Sequence, residues 1–240
     1  MTTIENNLGQ IHARIAAACA SASRPMTSVQ LLAVSKTFGA DAVREAVLAG
    51  QRSFGENYIQ EAVEKMAAVR AMQLAGGEAL QWHCIGPIQS NKTRLVAENF
   101  DWAQTVDRLK IAERLSAQRP QGMAPLNVCI QVNVDGGSTK SGVMAEQALE
   151  LAEAMVKLPN LQLRGIMSIP DDTPDFEAQC EVHKRAESIF DAIKSSALAG
   201  LEHFDTLSMG MTGDLEAAVA AGSTMVRVGS GIFGKRSYTP

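Results

Sequence analysis

Apolar positions near the start of the chain recur at the spacing of a single helix face. Ile4, Leu8, Ile11, Ile15 and Ala18 follow one another at intervals of three or four residues. This period predicts an amphipathic helix over the first two dozen residues, ending near a Ser-Ala-Ser-Arg-Pro turn.

A short apolar run and a second helical pattern come next. Val29–Ser35 is almost continuously apolar, which is typical of a buried strand, and Asp41–Ala49, closed by Gly50, predicts the helix that returns from it. Alternation of side chains along the strand places Lys36 on the same face as Val34 and Leu32.

The alternation of short apolar runs with helical stretches continues to the end of the chain. Eight strand-helix units in 240 residues predict a single (β/α)8 TIM barrel of parallel strands, with an open doubly wound sheet as the alternative. No linker or change of composition divides residues 1–240, so we expect one domain. The seven strands predicted after the first are Arg52–Phe54, Gln81–Ile85, Trp102–Val106, Leu126–Val134, Leu161–Ile169, Phe204–Leu207 and Thr224–Val228.

Composition narrows the classes of partner. The net charge is −4, and lysine and arginine are not clustered into a basic stripe that could bind a phosphate backbone. This argues against nucleic acid as a binding partner. No apolar run approaches the roughly 20 residues of a spanning helix, and the amino terminus has no leader pattern, so we expect no membrane association. The four cysteines are widely spaced, which favours reduced thiols and a cytoplasmic protein. The four histidines show no metal-ligand spacing.

Lys36 is the first candidate for chemistry, because among nine lysines it alone directly follows an apolar strand. In a barrel it would stand at the carboxyl end of that strand, where partial desolvation would favour a nucleophilic amine that forms a Schiff base. The alternative is a strand-end lysine that reaches solvent or a carboxylate such as Glu56. The other eight lysines are expected to be solvated.

The last strand is followed by glycines. Gly229–Gly234 matches GxGxxG, but it lies too close to the end of the sequence for a dinucleotide-binding unit. Gly229 and Ser230 instead suggest an anion cradle, with ordinary barrel closure as the alternative. Arg227, within the strand, needs a carboxylate, backbone carbonyls or an acceptor on a ligand, since it cannot lose its charge.

Polar residues also follow the second predicted strand and lie within the third. Glu56 and Asn57 stand after one of them, and each is a candidate either for ligand contact or for a helix cap. His83 lies in the other strand and is a candidate either for ligand contact or for a core histidine with its hydrogen bonds satisfied.

Together these segments resemble the pyridoxal phosphate homeostasis protein family, relatives of the amino-terminal barrel of bacterial alanine racemase. The resemblance implies that Lys36 holds pyridoxal 5′-phosphate as a reversible Schiff base and that Arg227 faces the pyridine nitrogen. It also implies that Asn57 lies beside the ring and that Ser208, Gly229 and Ser230 hold the phosphate. The segments that carry it are Val34–Thr37, Gly55–Tyr58, His83–Lys92, Leu207–Met211 and Gly222–Gly229.

The sequence departs from the usual family pattern at three places. Phe38 and Gly213 stand where the family more often has polar residues, and Ser230-Gly231 after the last strand also differs. These departures affect fine contacts and leave the lysine in place.

The resemblance implies a carrier that takes part in intracellular pyridoxal phosphate homeostasis and releases the aldehyde to free amino acids or to apoenzymes that need it. An arginine opposite the ring nitrogen disfavours carbanion chemistry. A racemase also needs acid and base groups on both faces of its substrate. The resemblance to alanine racemase assigns one of these groups to a tyrosine of a second, mostly β domain, whereas the tyrosines of this chain are Tyr58 and Tyr238. We therefore expect a monomeric protein with little or no catalytic turnover, no catalytic residues and no metal.

Two other functions stay open at this point. A low-activity, pyridoxal-phosphate-dependent amino-acid racemase would exchange D- and L-amino acids in a manner that depends on Lys36. A Schiff-base aldolase without a cofactor would be colourless and would still form a borohydride-trapped adduct with a sugar phosphate.

Overall fold

Eight parallel strands form a closed barrel in the order of the sequence, and the last strand pairs with the first. The structure is a computed structural model that describes residues 2–74, 79–137 and 140–234. The closed order confirms the (β/α)8 barrel over the open-sheet alternative. The strands are β1 Gln30–Val34, β2 Ser53–Glu56, β3 Gln81–Cys84, β4 Trp102–Val106, β5 Leu126–Val132, β6 Leu161–Ser168, β7 Thr206–Ser208 and β8 Met225–Val228.

Helices cover the outside of the barrel and connect its strands. The first helix precedes the barrel, and Thr2 caps it by accepting a hydrogen bond from the Glu5 amide at 3.1 Å. The helices are α1 Thr3–Ser21, α2 Ala40–Leu48, α3 Ile59–Ala71, α4 Thr93–Asn99, α5 Leu109–Gln118, α6 Ala145–Met155, α7 Phe176–Lys194, α8 Leu215–Ala220 and α9 Ser230–Phe233, with a short 3₁₀ turn at Met26–Ser28.

The two faces of β1 show how the strand alternation builds the core. Leu31 and Ala33 belong to the large apolar core between the strands and the helices. Leu32 and Val34 belong to a small apolar cluster with Met225 of β8. Because alternate side chains lie on opposite faces, this second cluster is inside the barrel.

The register between β1 and β8 places Arg227 inside the barrel as well. Arg227 is paired with Leu32 in the sheet and is only 3% exposed. Alternation along the strand puts Arg227 on the same face as Met225, and this face points into the barrel rather than toward the helices. In a parallel barrel all carboxyl strand ends lie at one rim, which collects the residues that follow the strands.

The described residues can be compared with what the sequence predicted about cysteines, membrane helices and metal sites. Cys19, Cys84 and Cys129 are buried free thiols, and Cys180 is a partly exposed one. Within the described ranges, no helix has the length and apolar character needed to cross a membrane. No group of three or more His, Cys, Asp or Glu side chains in those ranges is arranged to hold a metal ion.

Candidate functional site

A cavity of about 670 Å³ lies at the rim formed by the carboxyl ends of the strands. Its wall combines a lysine and an arginine with small polar and glycine residues from distant parts of the sequence. Five of the six residues predicted for the site line it, and Ser208 does not. The five are Lys36, Asn57, Arg227, Gly229 and Ser230.

Arg227 reaches the cavity from inside the barrel and is held by neutral acceptors. Its Nη1 donates to the hydroxyl of Ser208 at 2.8 Å, and its Nη2 donates to the carbonyl of Ser168 at 2.7 Å. Burial lowers the pKa of Arg227 to about 10, and the negative charge of Asp214 opposes this shift. The guanidinium therefore stays cationic at neutral pH.

Ser208 lies behind Arg227 rather than in the cavity wall. It is fully buried, accepts a hydrogen bond from Arg227 and donates one to Gln104 Oε1 at 2.7 Å. These two bonds engage the hydroxyl in the barrel interior. The observed contact of Ser208 is thus with the arginine.

His83 continues this interior network. Its Nδ1 is 2.9 Å from Gln104 Nε2, and its ring stacks on Trp102 with centroids 5.0 Å apart. Burial, with a smaller contribution from the charge of Arg164, lowers the pKa of His83 to about 3. A neutral imidazole with Nδ1 as acceptor fits this contact. His83 is therefore a core histidine, although its Nε2 has no hydrogen-bond partner among the described residues.

Asn57 follows β2 and enters the cavity wall. Its Oδ1 is buried and has no hydrogen-bond partner within the described part of the chain. Gly86, after β3, packs directly against the Asn57 backbone, and a Cβ built on Gly86 would lie 2.2 Å from the Asn57 carbonyl oxygen. A side chain at position 86 would therefore displace Asn57.

The expectation that all other lysines are solvated is wrong for Lys65. Lys65 on α3 is 6% exposed, and its ammonium is 2.7 Å from Glu56 Oε1. Its position on α3 between Ala62, Met66 and Val69, all buried, is the signal that could have located it on the inner helix face. Glu56 is therefore an ion-pair partner of Lys65, and neither it nor Asn57 is the N-cap of α3.

His183 and Asp214 line the same cavity and were not among the sequence candidates. The His183 Nε2 is 2.9 Å from Asp214 Oδ2, and Asp214 Oδ1 accepts from the Met211 amide at 2.6 Å. Burial alone would raise the pKa of Asp214, but the hydrogen bonds from His183 and Met211, together with the charges of His183 and Arg227, outweigh it and lower the pKa. The two residues are 31 positions apart and share no motif, so the sequence carried no signal for them.

The two unusual residues Phe38 and Gly213 also line the cavity. Phe38 stacks on Phe233 of α9 with ring centroids 5.2 Å apart, which joins the loop after β1 to the segment after β8. A Cβ added at Gly213 would meet no heavy atom within 4 Å. Phe38 and Gly213 thus belong to the wall of the same cavity that Lys36 and Arg227 line.

Comparison with known proteins identifies the family of the chain. The family model for the alanine racemase N-terminal domain matches residues 7–237. The chain is 52% identical over 238 residues to the pyridoxal phosphate homeostasis protein of Pseudomonas aeruginosa, covering 99% of this chain and 98% of that protein. It is 49% identical over 239 residues to the protein of the same name from Escherichia coli, covering 100% and 99%.

Solved structures give the same fold. PipY of Synechococcus elongatus with PLP bound is 35% identical, with a TM-score of 0.77 over 92% of this chain and 100% of PipY. Alanine racemase from Clostridium difficile is 15% identical, with a TM-score of 0.71 over 99% of this chain and 58% of the racemase, and this likeness shows the fold alone. The chain belongs to the pyridoxal phosphate homeostasis protein family, with the fold of the alanine racemase N-terminal domain.

Proposed function

We propose that this chain binds pyridoxal 5′-phosphate through Lys36 and serves as a carrier in pyridoxal phosphate homeostasis. The observation that carries the proposal is that Lys36 and the buried, cationic Arg227 line one cavity. The relatives named for this role, and a relative solved with the cofactor bound, support it.

The groups in the cavity wall fit this cofactor. A phosphorylated pyridine aldehyde needs a primary amine, a partner for its ring and donors for its phosphate. Lys36 offers the amine, Arg227 a fixed cation and Asn57 an amide whose Oδ1 has no partner in the described part of the chain. When bound, the cofactor supplies an aldehyde that condenses reversibly with a primary amine.

The phosphate would lie at the segment after β8. Gly229 places no side chain between its backbone and the cavity, and Ser230 offers a hydroxyl that is 3.3 Å from the hydroxyl of Thr212. Ser208 was predicted to join this group, but it contacts Arg227 instead. In this proposal Ser208 acts on the cofactor only by orienting Arg227.

Arg227 would face the ring nitrogen and remain charged at neutral pH. A cation at that position disfavours protonation of the nitrogen, which makes the ring a weak acceptor of electrons. The guanidinium is fixed by two buried hydrogen bonds, so it cannot easily swing away. The site therefore favours retention of the cofactor over turnover of amino acids.

An acid or base on the second face of an amino acid is the other requirement of a racemase. Tyr58 is 52% exposed and is not part of the cavity wall, and Tyr238 lies outside the described residues.

We propose that residues 1–240 act as one cytoplasmic, monomeric domain. Free amino acids or apoenzymes would receive the cofactor by presenting a competing amine.

Titration of the protein with pyridoxal phosphate, followed by visible absorption, tests the proposal. We expect saturable binding that Lys36→Ala weakens strongly, with Lys110→Ala, an exposed lysine on α5, as the matched control. The loaded protein should leave the D to L ratio of amino acids unchanged. Exchange at enzyme-like rates that Lys36→Ala abolishes would instead establish a racemase.

A further inference from the structure

The peptide groups on both sides of Lys36 are held by one group of charged side chains on α3 and β2. Lys65, Glu56 and Glu61 form this group, which we term the Lys65 cluster. It contacts the carbonyl of Ser35 and the amide of Thr37, the residues that immediately precede and follow Lys36.

Lys65 is the centre of the cluster, and its three donors are all used. Its Nζ donates to Glu56 Oε1 at 2.7 Å, to the Ser35 carbonyl at 2.9 Å and to Glu61 Oε1 at 3.2 Å. An ammonium has three N–H donors, so these acceptors account for each of them. The Ser35 hydroxyl also donates to Glu56 Oε1, at 2.6 Å. The residue before Lys36 is therefore fixed through both its backbone and its side chain.

Glu61 fixes the residue after Lys36. Its Oε1 accepts a hydrogen bond from the Thr37 amide at 3.0 Å while also accepting from Lys65. Thr37 has φ +69°, a left-handed conformation that a β-branched residue rarely adopts. Such a conformation persists only where its surroundings enforce it, and residues held in this way are concentrated at functional sites.

The geometry points to Glu61 as a positioning residue for Lys36. We propose that Glu61, itself held by Lys65, keeps Thr37 in its left-handed conformation and thereby sets the direction in which the Lys36 amine leaves the backbone. This inference rests on the proposed function, since the amine is what the cofactor would meet. Glu61 touches neither the cofactor nor the reacting atoms and acts only through Thr37.

Substitutions at Glu61 separate the contact from the charge. Glu61→Ala removes the acceptor for Thr37, whereas Glu61→Gln keeps an oxygen there and loses the negative charge. Glu64→Ala is the matched control, because Glu64 is an exposed acid on the same helix. We expect Glu61→Ala to raise the pyridoxal phosphate concentration for half-maximal borohydride labelling of Lys36 about fivefold to thirtyfold, the factor that a strained left-handed residue implies. Glu61→Gln and Glu64→Ala should stay within about twofold of the unmodified chain.

Replacement of Thr37 by glycine distinguishes positioning from general support of the fold. Glycine adopts φ +69° without strain, so in Thr37→Gly the left-handed conformation of residue 37 no longer depends on Glu61. We expect Glu61→Ala to change labelling by less than about twofold in that background, which is a coupling between the two sites. An equal effect of Glu61→Ala with threonine or glycine at position 37 would overturn the inference.

Hydrogen exchange of the residue 37 amide, measured without pyridoxal phosphate, keeps this test independent of the proposed function. We expect faster exchange in Glu61→Ala than in the unmodified chain or in Glu64→Ala, because the amide loses its acceptor. Unchanged exchange in a chain that labels normally at Lys36 contradicts the role of Glu61 and leaves the function standing. If Glu61 slows exchange of the residue 37 amide in a chain that is never labelled at Lys36, both the proposed function and the positioning role of Glu61 are contradicted.

Discussion

The guanidinium of Arg227 and the hydroxyl of Ser208 form a 2.8 Å hydrogen bond in the interior of the barrel. The hydroxyl of Ser208 donates its own hydrogen bond to Gln104 Oε1, so its oxygen can accept the hydrogen bond from the arginine. A serine predicted to touch the ligand thus supports a residue that does line the cavity.

Ser208→Ala should therefore lower stability as well as cofactor retention. The substitution leaves Arg227 Nη1 and Gln104 Oε1 buried without this partner, which is expected to lower the free energy of unfolding by about 1–3 kcal/mol. Urea denaturation measures the change. Ser188→Ala, at an exposed position on α7, should change it by less than about 0.5 kcal/mol. Equal effects of the two substitutions would show that the Arg227 contact is of no consequence.

Arg227→Ala should weaken cofactor retention less than Lys36→Ala does. Loss of Arg227 removes a partner of the ring and leaves the amine that forms the covalent bond, whereas loss of Lys36 removes that bond. The fraction of cofactor that stays with each variant through gel filtration measures the ranking. A loss for Arg227→Ala that equals or exceeds the loss for Lys36→Ala would refute it.

Gly86→Ala should disturb the site through Asn57. The added Cβ would lie 2.2 Å from the Asn57 carbonyl oxygen, so the backbone of Asn57 must shift from its position in the cavity wall. We expect at least a tenfold loss of affinity for pyridoxal phosphate in a titration, about the effect of 1.4 kcal/mol. Gly39→Ala is the control, because a Cβ at position 39 meets no heavy atom within 4 Å. Wild-type affinity in Gly86→Ala would mean that Asn57 is not needed.

His83 should make the stability of the fold depend on pH below neutrality. Burial lowers the pKa of His83 to about 3 in the folded state, whereas a histidine in the unfolded chain titrates near its ordinary value of 6.5. Between these values the unfolded state binds a proton that the folded state does not, so stability falls as the pH falls from 6.5.

Denaturation at pH 6 and pH 5 checks this dependence. The unmodified chain should lose about 1 kcal/mol more of its unfolding free energy across that interval than His83→Gln, whose side chain does not titrate. His12→Gln, at an exposed position on α1, should retain the full loss. If His83→Gln showed the same loss as the unmodified chain, another group would be responsible.

The barrel and the placement of Lys36 and Gly229 at one rim followed from the sequence because both depend on local periodicity. Short strands alternate with helical stretches, and parallel strands bring their carboxyl ends to one rim, so Lys36 and Gly229 could be placed together without knowledge of packing. Alternation along β8 placed Arg227 on the same face as Met225 but could not decide between the barrel interior and the helices, and only the pairing with Leu32 shows that this face is the interior.

Contacts that depend on side-chain direction could not be predicted in this way. Ser208 lies at the end of β7 but turns toward Arg227, and the pair of His183 and Asp214 joins two distant elements. Lys65 was misassigned because a charged residue in a helix is usually exposed, and its burial depends on acceptors from Ser35, directly after β1, and from Glu56 of β2. Such partners become visible only when the elements are assembled.

Borohydride reduction of the protein saturated with pyridoxal phosphate, followed by peptide mapping, tests the central claim most directly. The account predicts one stable pyridoxyl label on Lys36, loss of that label in Lys36→Ala and its retention in Lys110→Ala. A saturated and reduced protein without a label at Lys36, or with the same label in Lys36→Ala, would contradict it.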